Sequence, residues 1–217
     1  MAVGVHKITK EFEDELSKYT GAKYVVTVDN QTNALFLCLY YEKHIKKTIG
    51  DYVTIPNRTY PSVPCEIIHA GIKVKFEDVQ SFKLKGAYQL VGSNIYDSAL
   101  RFTSDMYIPN THMCVSFTGP YKHLKLGKGG AILTDDEDAY KWFKKARFSG
   151  RDECSYFVDD FDINPVIGWN FYMMPEIAAR GLLLITQFYD SNGVAIHNDD
   201  LELPYPDLSK FKIFYGE

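Results

Sequence analysis

A chain of 217 residues with 46% hydrophobic and 15% aromatic content is long enough to bury one sizeable core, which excludes a disordered chain. Its 24 basic and 28 acidic residues leave a formal net charge of -4, and the basic ones are scattered, which argues against nucleic acid as a partner. The first residues turn polar and helical before any apolar stretch builds up, and no later run is long enough to span a bilayer; the expectation is a cytoplasmic protein with no membrane partner. Cys38, Cys65, Cys114 and Cys154 lie far apart with no C-x-x-C pair, so free and mostly buried thiols are expected, and the six histidines suggest no metal site.

Ile8, Phe12, Leu16 and Tyr19 recur at helical spacing and stop at Gly21, after which KYVVTV reads as a buried strand. From Gln31, TNALFLCLYYEKH has helical length and composition. YVTIP (52–56) is strand-like, PSVPCEIIHAG is a helix closing at Gly71, and IKVKF is the next strand. SNIYD, HMCVSF and GGAILTD follow as strands, and DEDAYKWFKKARFSG, acidic at its start and basic at its end, reads as a helix. Short apolar strands alternating with helices predict a three-layer α/β/α sandwich on a mostly parallel mixed sheet. In such sheets ligands bind at the carboxyl ends of strands, here around Asp29, Asn57 to Tyr60, Asp97 and Ser116 to Lys122. From Tyr189 the alternation is lost, and residues 189–217 read as an irregular extension of a 1–188 domain.

The segment LGKGG (126–130) invites a nucleotide-loop reading that its spacing rejects. A P-loop needs a glycine where Lys122 stands and a Ser or Thr where Gly129 stands, and the dinucleotide fingerprint lacks its third glycine and its following helix. A tight turn into AILTD is the plain alternative.

Taken together, the strand ends resemble the DegT/DnrJ/StrS family of pyridoxal-phosphate-dependent sugar aminotransferases, in order and from about Phe12 to Phe188. FEDELSKYTGAKYVVTVDNQTNALFLCL is similar to the family's first helix, strand and cofactor-phosphate turn. VTIPNRTYPSVPCEIIHAGIKVKFEDV is similar to the segment in which a Thr-aromatic pair follows a strand. IYDSAL matches the segment of the pyridine-pairing aspartate, SFTGPYKHLKLGKGGAILTDD that of the Schiff-base lysine, and GWNFYMMPEIAA the glycine-x-asparagine stretch before a long helix.

The resemblance implies the large domain of an aspartate-aminotransferase-like fold that binds pyridoxal 5'-phosphate. It further implies amino transfer from a donor such as glutamate to a nucleotide-linked keto sugar. Lys122 is then the catalytic Schiff-base residue, Asp97 the partner of the pyridine nitrogen, and Tyr60 the stacking ring. Asn30, Gln31, Thr32 and Ser116 serve the phosphate, and Asn170 reaches the phosphate of a neighbouring subunit, which implies a homodimer with a shared site. The chemistry wants these types: an amine to add to an aldehyde, a carboxylate to hold a proton on a ring nitrogen, and helix N–H groups for an anion. The chain departs from the pattern in several places. One extra residue separates Ser116 and Lys122, Gln31 replaces the turn glycine, Leu100 stands where a glutamine is usual, Lys128 where an acid is common, and Tyr172 replaces a frequent arginine. Some relatives use a histidine in place of the lysine for sugar dehydration, and His123 is adjacent. The family's segment before the first helix and its small carboxyl-terminal domain have almost no counterpart here. A catalytically impaired or non-catalytic dimeric relative is therefore the alternative expectation.

Overall fold

The computed structural model describes residues 6–81, 86–153 and 164–215; Cys154 lies outside them. Helix α1 spans Lys7–Thr20 and strand β1 Tyr24–Val28, with Gly21 in the left-handed conformation closing the helix. Helix α2 (Gln31–Tyr40) runs on into one π-helical turn, Tyr41–Ile45, before β2 (Tyr52–Pro56), α3 (Ser62–His69) and β3 (Lys73–Glu77). Then come β4 (Tyr88–Gln89), β5 (Ile95–Ser98), β6 (His112–Ser116), β7 (Gly130–Thr134), α4 (Glu137–Ala146) and α5 (Pro175–Ile185). Among the described residues, the two-residue β4 is the one strand that periodicity does not disclose, because two residues have no period.

Five strands form one sheet in the order β1-β7-β6-β5-β4, and β2 pairs with β3. Paired backbone bonds between Thr54 and Val91, an antiparallel bridge, tie β2 to the chain just beyond β4. Following these senses across the sheet, β1, β2, β3, β5 and β6 point one way and β4 and β7 the other. The strand directions are thus mostly parallel, as expected, yet most ladders of the larger sheet are antiparallel. The reason is placement: β7 sits between β1 and β6, and β4 borders β5, so each reversed strand meets neighbours of opposite sense.

Strand alternation builds the layers. Val26, Cys114 and Ile132 face the core under α2, α3 and α4, while their neighbours Val25, Met113, Val115, Ala131 and Leu133 face the one under α1 and α5. Phe12 and Leu16 of α1 are fully buried, each stabilising the fold by about 1.5–3 kcal/mol. Gly181 lets α5 lie against Phe12, since a Cβ there would be 2.4 Å from the ring. Cys38 and Cys114 are both buried, with their sulfurs 3.6 Å apart. Among the described residues no helix is long and apolar enough to cross a membrane, and no cluster suited to a metal ion occurs.

One charged cluster joins α1, β1 and α4. Arg147, with no exposure, donates to the carboxylates of Glu13 and Glu153 and to the Thr27 carbonyl, and Lys144 meets both carboxylates at 3.2 and 3.0 Å. Replacing one member strands its partners: Arg147→Met should cost about 3–5 kcal/mol by urea unfolding, and an unchanged midpoint would show that the cluster is solvated.

Beyond Tyr189 the chain has no long helix or strand, yet residues 196–208 are closely held. Ile196 accepts from the Tyr19 hydroxyl at 2.8 Å, Asn198 N donates to Thr103 at 2.7 Å, and Leu201 N to the Leu100 carbonyl at 2.9 Å. Arg101 pairs with Asp200 at 3.0 Å, and Leu208 N donates to the Asn57 carbonyl at 2.7 Å.

Candidate active site

The carboxyl ends of β1, β2, β5 and β6 converge, and the residues that terminate them line one cleft. Asn30 caps α2, its side chain accepting from Asn33 N at 2.8 Å. The start of that helix lies directly on β7: a Cβ on Gly130 would come within 2.5 Å of Gln31 N and 2.8 Å of Asn30 C. The glycine doublet therefore serves close approach. It admits the N-terminus of α2 to the edge of the cleft, which no residue with a side chain at 130 would permit without a shift of the helix.

Asp97, on β5, is 3% exposed. Its Oδ1 accepts from the Gln31 amide at 2.8 Å and from Ala99 N at 2.9 Å; its Oδ2 accepts from the Tyr88 hydroxyl at 2.9 Å. Because Tyr88 gives its proton to Asp97, Thr59, 2.5 Å away, is the donor to Tyr88. Burial pushes Asp97 above the ordinary carboxylate value, and its hydrogen bonds and the charge of Lys122 pull it back only in part. Burial and the facing carboxylate likewise push Tyr88 well up, keeping it protonated.

Lys122 donates to the Ala99 carbonyl at 2.6 Å, two residues past Asp97. Burial lowers its ammonium below the ordinary lysine value, opposed by the Asp97 charge. The adjacent His123 has its Nε2 2.8 Å from the Asp199 carbonyl and lines a further cavity together with Lys122.

Of the eight residues singled out from the sequence, Asn30, Gln31, Thr32, Tyr60, Ser116 and Lys122 line one cavity of about 400 Å³. Asp97 lines the adjoining cavity of about 480 Å³, which shares Tyr60, Ala99, Leu203 and Tyr205 with the first. Asn170 lies elsewhere, bridged to Phe148 and lining a third cavity with Tyr172 and Met174. The Gln31 side chain is turned to Asp97 rather than left free for an anion. Tyr88, Leu203 and Tyr205 escaped the sequence reading, whereas Thr59 lies in the 57–60 stretch that it singled out. Tyr88 sits on a strand too short for a pattern, and Leu203 and Tyr205 belong to the tail read as irregular.

The fold is shared with solved pyridoxal-phosphate-dependent enzymes. The likeness to solved structures is direct: the aminotransferase from Psychrobacter cryohalolentis at a TM-score of 0.64 and 16% identity, covering 84% of this chain and 56% of that one. The E. coli GDP-4-keto-6-deoxy-D-mannose-3-dehydratase with bound hydrated PLP gives 0.63 and 17%, covering 83% and 60%. Helicobacter pylori PseC, an aminotransferase involved in the biosynthesis of pseudoaminic acid, gives 0.63 and 15%, covering 83% and 58%.

Residues 4–95, which hold the first two of the five segments, match the sequence model of the DegT/DnrJ/EryC1/StrS aminotransferase family, in line with the resemblance read from the sequence. A curated relative, the GDP-4-keto-6-deoxy-D-mannose 3-dehydratase of Yersinia pseudotuberculosis, is 25% identical over 60% of this chain, which spans 44% of that protein. This chain therefore spans less than two thirds of the relatives it matches.

Two outcomes follow from the geometry. Gly130→Ala should destabilise the fold by about 1–3 kcal/mol by overpacking; an unchanged urea midpoint would mean that the α2 terminus yields freely. For Asp97, whose folded pKa lies above its unfolded one, the folded state holds the extra proton as pH rises. Its stabilising contribution is full below the unfolded value of 3.8 and is lost as pH climbs through the raised folded value. The unfolding free energy of wild type minus that of Asp97→Asn should thus fall with rising pH across that window and then level off. A difference that rises with pH would reverse the assignment.

Proposed function

We propose that the chain is the cofactor-carrying part of a pyridoxal-phosphate-dependent enzyme of nucleotide-linked keto sugars, working in the cytoplasm as an aminotransferase with an amino-acid donor such as glutamate. The observation that carries the reading is the Lys122 amine at 2.6 Å from the Ala99 carbonyl, beside the buried Asp97 and in the same cleft as the N-terminus of α2. The match of residues 4–95 to the aminotransferase family supports it.

The donor set suits pyridoxal phosphate. A cavity of about 400 Å³ falls within the size range of small-molecule sites. The N–H groups of Gln31 and Thr32 open a ten-residue helix and would receive the phosphate, with the Thr32 and Ser116 hydroxyls beside them. Tyr60, 55% exposed and edge to face with Tyr205, would cover the cofactor ring, and Asp97 would face the pyridine nitrogen. When bound, pyridoxal phosphate supplies an aldehyde for amine exchange and a ring that accepts electrons.

The chain's own residues would supply the rest. Burial of Lys122 leaves more of its amine unprotonated at neutral pH, so Nζ can add to a carbonyl and can take or return a proton. Asp97, held by three donors, is fixed in orientation and can keep a proton on a facing nitrogen. Asn170, outside the Lys122 cavity, would serve the site of a second copy, making the active form a homodimer. In this reading residues 1–188 are the cofactor domain, and 189–217 stand in for part of the small domain.

The similarity to a 3-dehydratase raises a second reading, sugar dehydration with a histidine in place of the lysine. His123 is bonded to the Asp199 carbonyl and lies outside the cavity that Lys122 shares with the N-terminus of α2, although it lines a second cavity together with Lys122; that bond and that position speak against the reading. A catalytically impaired relative is the remaining alternative, favoured by Gln31 and Leu100.

Adding pyridoxal phosphate to the purified chain should raise a visible absorption band that shifts with glutamate and is lost in Lys122→Ala. A band that persists in Lys122→Ala would remove the lysine from its role, a band that ignores glutamate would leave cofactor binding without transamination, and no band would defeat the reading.

A further inference from the structure

The segment LELPYPDL, residues 201–208, crosses the cleft. Its exposure alternates: Leu201, Leu203 and Tyr205 are half-buried, while Glu202, Pro204 and Pro206 face solvent. The sequence dictates this form. Leu203 and Tyr205 each precede a proline, which biases both toward extended backbone, and an extended chain puts residues 203 and 205 on one face. Neither proline has an N–H, so the segment cannot pair as a strand in its middle. It is pinned at both ends instead. On one side stand the Arg101–Asp200 pair at 3.0 Å, the bond from Leu201 N to Leu100 O at 2.9 Å and that from His123 to Asp199 O at 2.8 Å. On the other, Arg58 donates to Tyr205 O at 3.1 Å and Leu208 N to Asn57 O at 2.7 Å.

Between the pins, Leu203 and Tyr205 stand where the Lys122 cavity and the Asp97 cavity adjoin, both residues lining both. The Tyr205 ring is 6.2 Å from that of Tyr60, edge to face. Burial, together with the facing Asp97 carboxylate, raises its phenol to about 12, so the hydroxyl remains neutral inside the cleft. Beneath it the Gln31 amide occupies Oδ1 of Asp97. Lys122 and Asp97, which a single ligand would have to touch together, thus open into separate spaces divided by the chain's own side chains.

We propose that residues 199–208 form a strap that closes this cleft from within, Leu203 and Tyr205 filling the space between Tyr60 and Ala99, so that a ligand reaching Lys122 and Asp97 together must first lift the strap. The proposal rests on the cofactor reading above for the identity of that ligand. Closure is a population effect: if the open form is about a tenth of the molecules, apparent affinity falls about tenfold relative to a strapless site. Arg101 and the backbone of Leu100 act as its latch. Leu100 contributes its backbone carbonyl to the latch and its side chain as an apolar wall to the Asp97 cavity.

The test uses the full chain and pyridoxal phosphate itself. The dissociation constant and the uptake rate are read from the growth of the absorption band in wild type, Tyr205→Ala and Arg101→Ala. Hydrogen exchange of the Leu201 and Leu208 amides is followed with and without the cofactor. Tyr205→Ala and Arg101→Ala should each tighten binding about tenfold and speed uptake. In wild type, cofactor addition should accelerate exchange at the Leu201 amide. Unchanged affinity in both variants, or Leu201 and Leu208 more protected when the cofactor is bound, would overturn the strap while leaving the cofactor reading intact. Failure of all three proteins to attach the cofactor at Lys122 would overturn both.

Discussion

A carboxylate almost out of reach of water has to be met by donors, and around Asp97 this requirement organises the site. Its two oxygens collect the Ala99 amide, the Gln31 side chain and the Tyr88 hydroxyl, so β4, β5 and the start of α2 are committed to one point. Thr59 extends the network to the segment after β2. Each donor offsets part of the cost of burying the charge, and burial still keeps the proton affinity of Asp97 above its ordinary value. Lys122 adds a cationic charge, and the two groups move each other's proton affinity in opposite directions.

The remainder of the fold reads as support for that meeting. The reversed strand β7 brings Gly130 under the first residues of α2, and the missing Cβ lets the helix start at the lip of the cleft. Arg147 and its carboxylates lock α1 and α4 against β1, the strand that leads into Asp29 and Asn30. Stability and site geometry are therefore not separable here. A change that shifts β1 against β7 moves the phosphate-sized end of the cleft as well.

Much of this was legible in the sequence. Short β-branched runs alternating with helices disclosed the layers, since apolar periodicity reports burial directly. Strand-terminal polar residues disclosed the cleft, and six of the eight singled out do line one cavity. Three things were not legible, each for a physical reason. Gln31 was read as a backbone anion donor, but its amide answers a carboxylate 66 positions away, a pairing that no local pattern announces. Asn170 carries no signal of where its partner lies, and within one chain it stands apart from Lys122. The tail looked irregular because its alternation, Leu201, Leu203 and Tyr205 against Glu202, Pro204 and Pro206, is interrupted by prolines that normally argue against a strand. The same prolines are what hold it extended.

The central claim is that Lys122 is the residue this cleft is built to use. Peptide mapping after borohydride reduction of the chain treated with pyridoxal phosphate tests it most directly. The account predicts modification concentrated on the peptide that contains Lys122, ahead of exposed lysines such as Lys125 and Lys128, because the half-buried Lys122 amine near Asp97 combines lowered basicity with a cleft to hold the ligand. Modification spread over the surface lysines, with Lys122 unmodified, would contradict it.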